Sequence, residues 1–140
     1  MLPIPIPPSQ GVHIPFFSDP VSAGFPSPAQ DSHEDSLDLQ RLLVRRPAAT
    51  FSICATGNSM SPTIWAGDRL IVDRSIDPHH NDIVIVACDG AFTVKRLFQS
   101  SGVQSLIPDN IDYSPLDITT GSDFLIWGVV TGIVRLTCTR

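Results

Sequence analysis

The sequence predicts a mainly β protein: a single β domain behind an extended, proline-rich N-terminal arm and one short helix. Three observations carry this. Eight of the thirteen prolines fall in residues 1–30, where missing N–H donors and fixed φ angles exclude a helix. From Phe51 onward, short apolar runs alternate with turn residues, as strands joined by tight connections do. Asp89-Gly90 stands between two such runs, and this dipeptide closes two-residue hairpins. The expected division is 1–50 for the arm and helix and 51–140 for the β domain.

In chain order, the arm is more than a spacer, because Ile14-Pro15-Phe16-Phe17 and Val21 to Phe25 carry apolar groups that a solvated linker does not need. Part of it is expected to dock on a surface. Asp35 or Ser36 can cap a short helix with an apolar stripe of Leu37, Leu39, Leu42, Leu43 and Val44, ended before Pro47. Strands are expected at 51–55, 69–73, 82–88, 91–98, 103–107 and 124–136. Pairing Cys88 with Ala91 across the Asp-Gly turn sets a register in which Lys95 lies opposite Val84, on the face of Thr93 and Leu97.

Composition removes several function classes. At 140 residues the chain is one domain. Residues 1–40 carry five acids and no Lys or Arg, and the remaining acids and bases balance. No basic face results, so direct sequence-specific DNA binding is not expected, and one helix leaves no room for a helix-turn-helix. Cys54, Cys88 and Cys138, odd in number and without CxxC spacing, read as buried thiols in a reducing cytosol. The start, Met1-Leu2-Pro3-Ile4-Pro5, lacks the basic region and apolar run of a signal peptide. The longest apolar run, 124–130, is far short of the roughly 20 residues of a membrane span. The expectation is a cytoplasmic protein with no membrane contact.

Chemistry concentrates in Gly57-Asn58-Ser59-Met60-Ser61-Pro62. A strand ends, Gly57 permits angles that a side chain forbids, and Pro62 suits the first turn of a short helix. That geometry holds the Ser59 hydroxyl outward and lets the N–H groups of Asn58 and Ser59 converge where an oxyanion would form. The ordinary reading is turn vocabulary. A nucleophilic serine needs a base, and Lys95 is the only lysine, the other eight basic residues being arginine. Arginine cannot give up its proton, whereas a desolvated lysine can become a neutral amine. The competing reading is a lysine whose stem packs on the sheet while its ammonium reaches water. His79-His80 lie in a turn with no ligand cluster beside them, so no metal or cofactor is expected. Asp109, Asp112 and Asp117 read as solvated loop residues.

With Ser59 and Lys95 placed, the chain resembles the LexA-type self-cleaving Ser-Lys peptidases, and within them the UmuD type of SOS mutagenesis protein and its plasmid-borne relatives. The resemblance rests on Ala23-Gly24-Phe25-Pro26-Ser27-Pro28, Gly57-Asn58-Ser59-Met60, Leu70-Ile71-Val72-Asp73, Asp82-Ile83-Val84-Ile85, Phe92-Thr93-Val94-Lys95 and Leu106-Ile107-Pro108, in that order. It implies a Ser59–Lys95 dyad, an oxyanion held by the N–H groups of Asn58 and Ser59, and self-cleavage between Ala23 and Gly24. It also implies a homodimer, stimulation by the RecA filament on single-stranded DNA, and a shortened product that serves a UmuC-type translesion polymerase. The arm is then regulatory and 51–140 the peptidase domain; a non-catalytic β interaction module that regulates a polymerase is the alternative. Two positions depart from the pattern. Asn58 stands where relatives often carry an acid, and Asn81 where UmuD has glycine.

Overall fold

The computed structural model describes residues 13–17, 21, 23–24, 33–117 and 124–140. The expected extended start, 1–12, and Phe25-Pro26-Ser27-Pro28 lie outside them. The chain divides into two compact units, one over Pro8–Arg45 and one over Arg46–Arg140.

In the first unit, β1 (His13–Phe17) pairs antiparallel with β2 (His33–Asp38), His13 opposite Asp38 and Phe17 opposite His33. The arm is therefore partly a two-stranded ribbon. The helix begins later than the sequence suggests: α1 is Leu39–Leu43, and the cap is Asp38, whose carboxylate accepts the N–H groups of Gln40 at 3.0 Å and Arg41 at 3.2 Å. Pairing with β1 holds Asp35, Ser36 and Leu37 extended, so neither expected cap residue can start a helix.

The second unit is a seven-stranded antiparallel sheet in the order β3-β4-β9-β5-β6-β7-β8. Its strands are β3 (Thr50–Cys54), β4 (Arg69–Asp73), β5 (Ile83–Cys88), β6 (Ala91–Ser100), β7 (Val103–Ile107), β8 (Leu116–Asp117) and β9 (Phe124–Val134). The fold is mainly β, as expected, with one short helix and the two-residue β8 in addition to the expected strands. Cys88 pairs with Ala91 and Val84 with Lys95, the register set by the Asp-Gly turn. Asp89 and Gly90 both have positive φ, 48° and 79°, as that turn requires. Ser101 and Gly102, at 51° and 80°, close the β6–β7 hairpin in the same way. Asn81 takes φ 74°. Asparagine is among the few residues that tolerate this region, so it meets the backbone requirement that a glycine would meet.

Period-two alternation divides the core. Val84 and Val86 of β5 pack with Leu97, Leu106 and Val129, while Ile85 between them packs with Ala55, Met60, Ile64, Leu70 and Val72. Asp68 is 2% exposed and is held in two hydrogen bonds by Arg135, with the Trp65 N–H as a further donor. The Arg135 guanidinium keeps its pKa at about 2, below the usual carboxylate range. The cysteines correct the expectation of burial. Cys54 and Cys138 are exposed and Cys88 is half-buried, none of them in a disulfide; Cys54 falls on an outward position of β3. Among the described residues no helix is long and apolar enough to cross a membrane.

Gly128 of β9 marks the closest approach of strands. A Cβ there would lie 2.6 Å from Cγ1 of fully buried Val72, so Gly128→Ala must displace a core side chain. We expect that substitution to destabilise the sheet by about 1–3 kcal/mol, read as a lower urea midpoint at unchanged slope.

Candidate active site

Ser59 sits where β3 has ended and the chain turns. Gly57 makes the turn at φ 77°, which glycine adopts without strain. Beyond it, Ser61 N–H donates to Asn58 O at 3.2 Å, and the N–H groups of Thr63 and Ile64 each donate to Met60 O at 2.9 Å. The segment closes as consecutive turns, in place of the short helix expected from Pro62. Met60 and Ile64 are buried, so the half-buried serine is carried on a turn whose far end is anchored in the core.

Lys95 comes to it from β6. The residue is only 8% exposed, and Nζ donates to Ser59 Oγ at 3.2 Å, Thr93 Oγ1 at 3.0 Å and Val94 O at 3.0 Å. None of these partners is a carboxylate. Burial alone pushes the lysine pKa below its ordinary value, because taking an ammonium from water without a counter-charge disfavours the charged form. A neutral amine has two N–H bonds and one lone pair. A carbonyl can only accept, so one N–H belongs to Val94 O; with the other on Thr93 Oγ1, the lone pair faces the Ser59 hydroxyl. Thr93 is a site residue that the sequence named only as a neighbour of Lys95 on the strand.

Ser59 borders an open cleft of about 160 Å³. Residues 53–56 form one side and Phe92, Thr93 and Val94 the other, with Leu70 and Ile85 also lining it. β3 is an end strand of the sheet, so an extended segment has backbone beside it to meet. Among the described residues, the N–H groups of Asn58 and Ser59 have no hydrogen-bond acceptor. Ala23 and Gly24 belong to the other unit, in the connection between β1 and β2, where both are exposed and Val21 is 95% exposed. A Cβ added at Gly24 would meet nothing within 4 Å.

Two residues of the β7–β8 connection, Asp109 and Asn110, brace the serine turn. Asp109 is not a solvated loop acid. Arg96 holds it through Nε and Nη2 at 2.8 Å each, and Thr63 Oγ1 donates to it at 2.6 Å. The Arg96 guanidinium holds its carboxyl below the usual carboxylate range. Asn110 next to it reaches Asn58 O at 3.0 Å and Ser61 Oγ at 3.1 Å through Nδ2. Asp112 is exposed. His80 accepts the Gln99 N–H through Nδ1 at 3.0 Å, and among the described residues no three His, Cys, Asp or Glu side chains are grouped to hold a metal ion.

Comparison with known proteins bears on this geometry. A family described as Peptidase S24-like matches residues 15–131. Protein ImpA of Escherichia coli is 42% identical over 135 residues, covering 88% of this chain and 84% of its own length. Protein SamA of Salmonella typhimurium is 43% identical over 124 residues, covering 88% and 86%. The LexA repressor of Stenotrophomonas maltophilia is 34% identical over 116 residues, covering 82% of this chain and 54% of the repressor.

As the sole lysine, Lys95 can be followed alone by the pH dependence of its ¹³Cε shift. Its midpoint should lie below 10.5, the ordinary lysine value, and return to that value in urea. Between the two midpoints the unfolded chain binds more protons, so stability should rise with pH through that window. A folded-state midpoint at the ordinary value would show a solvated amine.

Proposed function

Because the chain belongs to the S24-like peptidase family, we propose that it is a self-cleaving Ser-Lys peptidase of the SOS response. Its cut between Ala23 and Gly24 yields the active accessory subunit of an error-prone translesion DNA polymerase. The observation that supports this reading is the buried Lys95 amine 3.2 Å from Ser59 Oγ with, among the described residues, no carboxylate as a hydrogen-bond partner. Similarity to ImpA, SamA and LexA over most of the chain supports it independently.

In the proposed reaction, Ser59 Oγ attacks the Ala23 carbonyl carbon as its proton passes to neutral Lys95. The developing oxyanion is stabilised by the N–H groups of Asn58 and Ser59. Lys95 then gives the proton to the departing Gly24 amine, leaving an acyl ester on Ser59, and finally activates the water that hydrolyses it. Asn58 takes part through its backbone, so the side chain found where relatives often carry an acid does not alter that role. Residues 1–50 form the regulatory arm and 51–140 the peptidase domain. The partners in this reading are a second copy of the chain, the RecA filament that stimulates cleavage, and a UmuC-type polymerase in the cytoplasm. A non-catalytic β interaction module would leave the stripped amine beside Ser59 without a purpose.

Incubation with RecA, nucleotide and single-stranded DNA, followed by intact-mass measurement, should give a product beginning at Gly24. A fragment starting elsewhere would displace the cleavage site. Lys95→Arg should fold but lose cleavage by at least the roughly 10²–10⁴-fold typical of removing acid–base catalysis. The wild-type rate should climb with pH toward the folded-state pKa of Lys95 and level above it. A flat profile, or a Lys95→Arg protein cutting at full speed, would remove Lys95 from the reaction. A chain that begins at Gly24 and carries Ser59→Ala should still support lesion bypass, since the serine is then needed only for processing; a folded but inactive product would sink the switch.

A further inference from the structure

Three donors converge on the carbonyl of Asn58: Ser61 N–H at 3.2 Å, Ser61 Oγ at 3.0 Å and Asn110 Nδ2 at 3.0 Å. Asn110 also donates through Nδ2 to Ser61 Oγ at 3.1 Å, and its own N–H donates to Ser59 O at 3.0 Å. The amide orientation follows from chemistry. The Asp112 N–H needs an acceptor, and Asn110 Oδ1 supplies it at 3.0 Å, which leaves Nδ2 to face Asn58. Asp109, tied to Arg96 and Thr63, fixes the loop from which Asn110 reaches.

In a trans peptide the C=O and N–H of one unit point in opposite directions. The unit whose oxygen is Asn58 O carries the N–H of Ser59. Holding that oxygen toward Asn110 therefore aims the Ser59 N–H away from the loop. The preceding unit, which carries the Asn58 N–H, has Gly57 O as its oxygen, and among the described residues no donor reaches it.

From this geometry we infer that Asn110 is a positioning residue for the oxyanion site: with Ser61 it locks the Asn58–Ser59 peptide plane, making the Ser59 N–H the donor that the fold holds rigid. The inference rests on the Ser-Lys reading for its purpose, but its structural content is independent of it. Preorganisation of this kind matters because a donor that must reorient during the reaction loses much of its value.

The test uses the full chain as wild type, Asn110→Ala, Asn110→Asp and Ser61→Ala. Asn110→Asp keeps the Oδ1 acceptor for the Asp112 turn and removes the Nδ2 donor; Ser61→Ala removes another donor without adding charge. The ¹⁵N relaxation order parameter of the Ser59 N–H should fall from about 0.85, a rigid value, toward about 0.6 in both Asn110 variants, while that of Val84 stays unchanged. The plateau rate of self-cleavage at high pH should drop roughly 10- to 100-fold, and less in Ser61→Ala, with the pH midpoint unmoved because Lys95 sets it. An unchanged Ser59 order parameter overturns the inference whether or not the wild type cleaves. Absence of wild-type cleavage alone overturns the peptidase reading, and leaves the order parameters to decide the role of Asn110. A plateau equal to wild type, or a shifted midpoint at constant plateau, also overturns the inference.

Discussion

The constraint on which the site depends is the desolvation of one amine. Among the described residues, Lys95 is taken from water without an acid to compensate it, and its own hydrogen bonds go to a hydroxyl, a carbonyl and the serine. A lysine at this position stabilises the fold best when neutral, so the chemistry and the burial favour the same protonation state. The β5–β6 hairpin makes this possible. It fixes Lys95 opposite fully buried Val84, which commits the stem to the interior and leaves the amine little route back to solvent.

Arg96, the next residue, shows the opposite solution to the same problem. Its guanidinium cannot deprotonate, and the fold gives it a bidentate carboxylate partner in Asp109, which Lys95 does not have among the described residues. Two adjacent cations thus take separate roles by chemistry: one is available to exchange a proton and the other serves as a strut. Through Asp109 the strut reaches Thr63, beyond the serine, while Asn110 grips Asn58 and Ser61 on either side of it. The turn that carries Ser59 is therefore braced from outside itself, by a loop far along the chain.

That distance explains what the sequence does and does not disclose. The strands are legible because period two and turn dipeptides are local, and Asp89-Gly90 even sets the register that places Lys95. Ser101-Gly102 offers the same kind of signal for the next hairpin. Asp109 and Asn110 offer none, since their partners Thr63 and Asn58 lie 46 and 52 residues away and an Asp-Asn pair after proline is ordinary loop composition. β1 and β2 are hidden for a different reason. Proline and acidic residues depress strand propensity, so only their pairing with each other makes them strands, and that pairing also moves the helix start from Asp35 or Ser36 to Asp38. The cysteines mislead because apolar neighbours on a strand do not bury every residue: alternation turns Cys54 outward.

The ribbon changes what a cut in the arm does. Ala23-Gly24 lies in the connection between β1 and β2, so breaking that bond would leave β1 on the released side and β2 on the remaining chain, with the ladder between them no longer intramolecular. A two-stranded ribbon is marginal by itself in water, and once the strands are on separate chains their pairing also depends on association between two fragments. Loss of β1 would leave the N–H and C=O groups of β2 that had faced it in need of water or another strand. An arm of extended chain alone would give cleavage nothing to undo, whereas a paired arm makes the cut a change in which backbone groups are available. In the proposed reading, the regulatory content of the cleavage lies in the hydrogen-bonding ladder it uncouples, and the second unit can remain folded through the change because its own sheet contains neither strand.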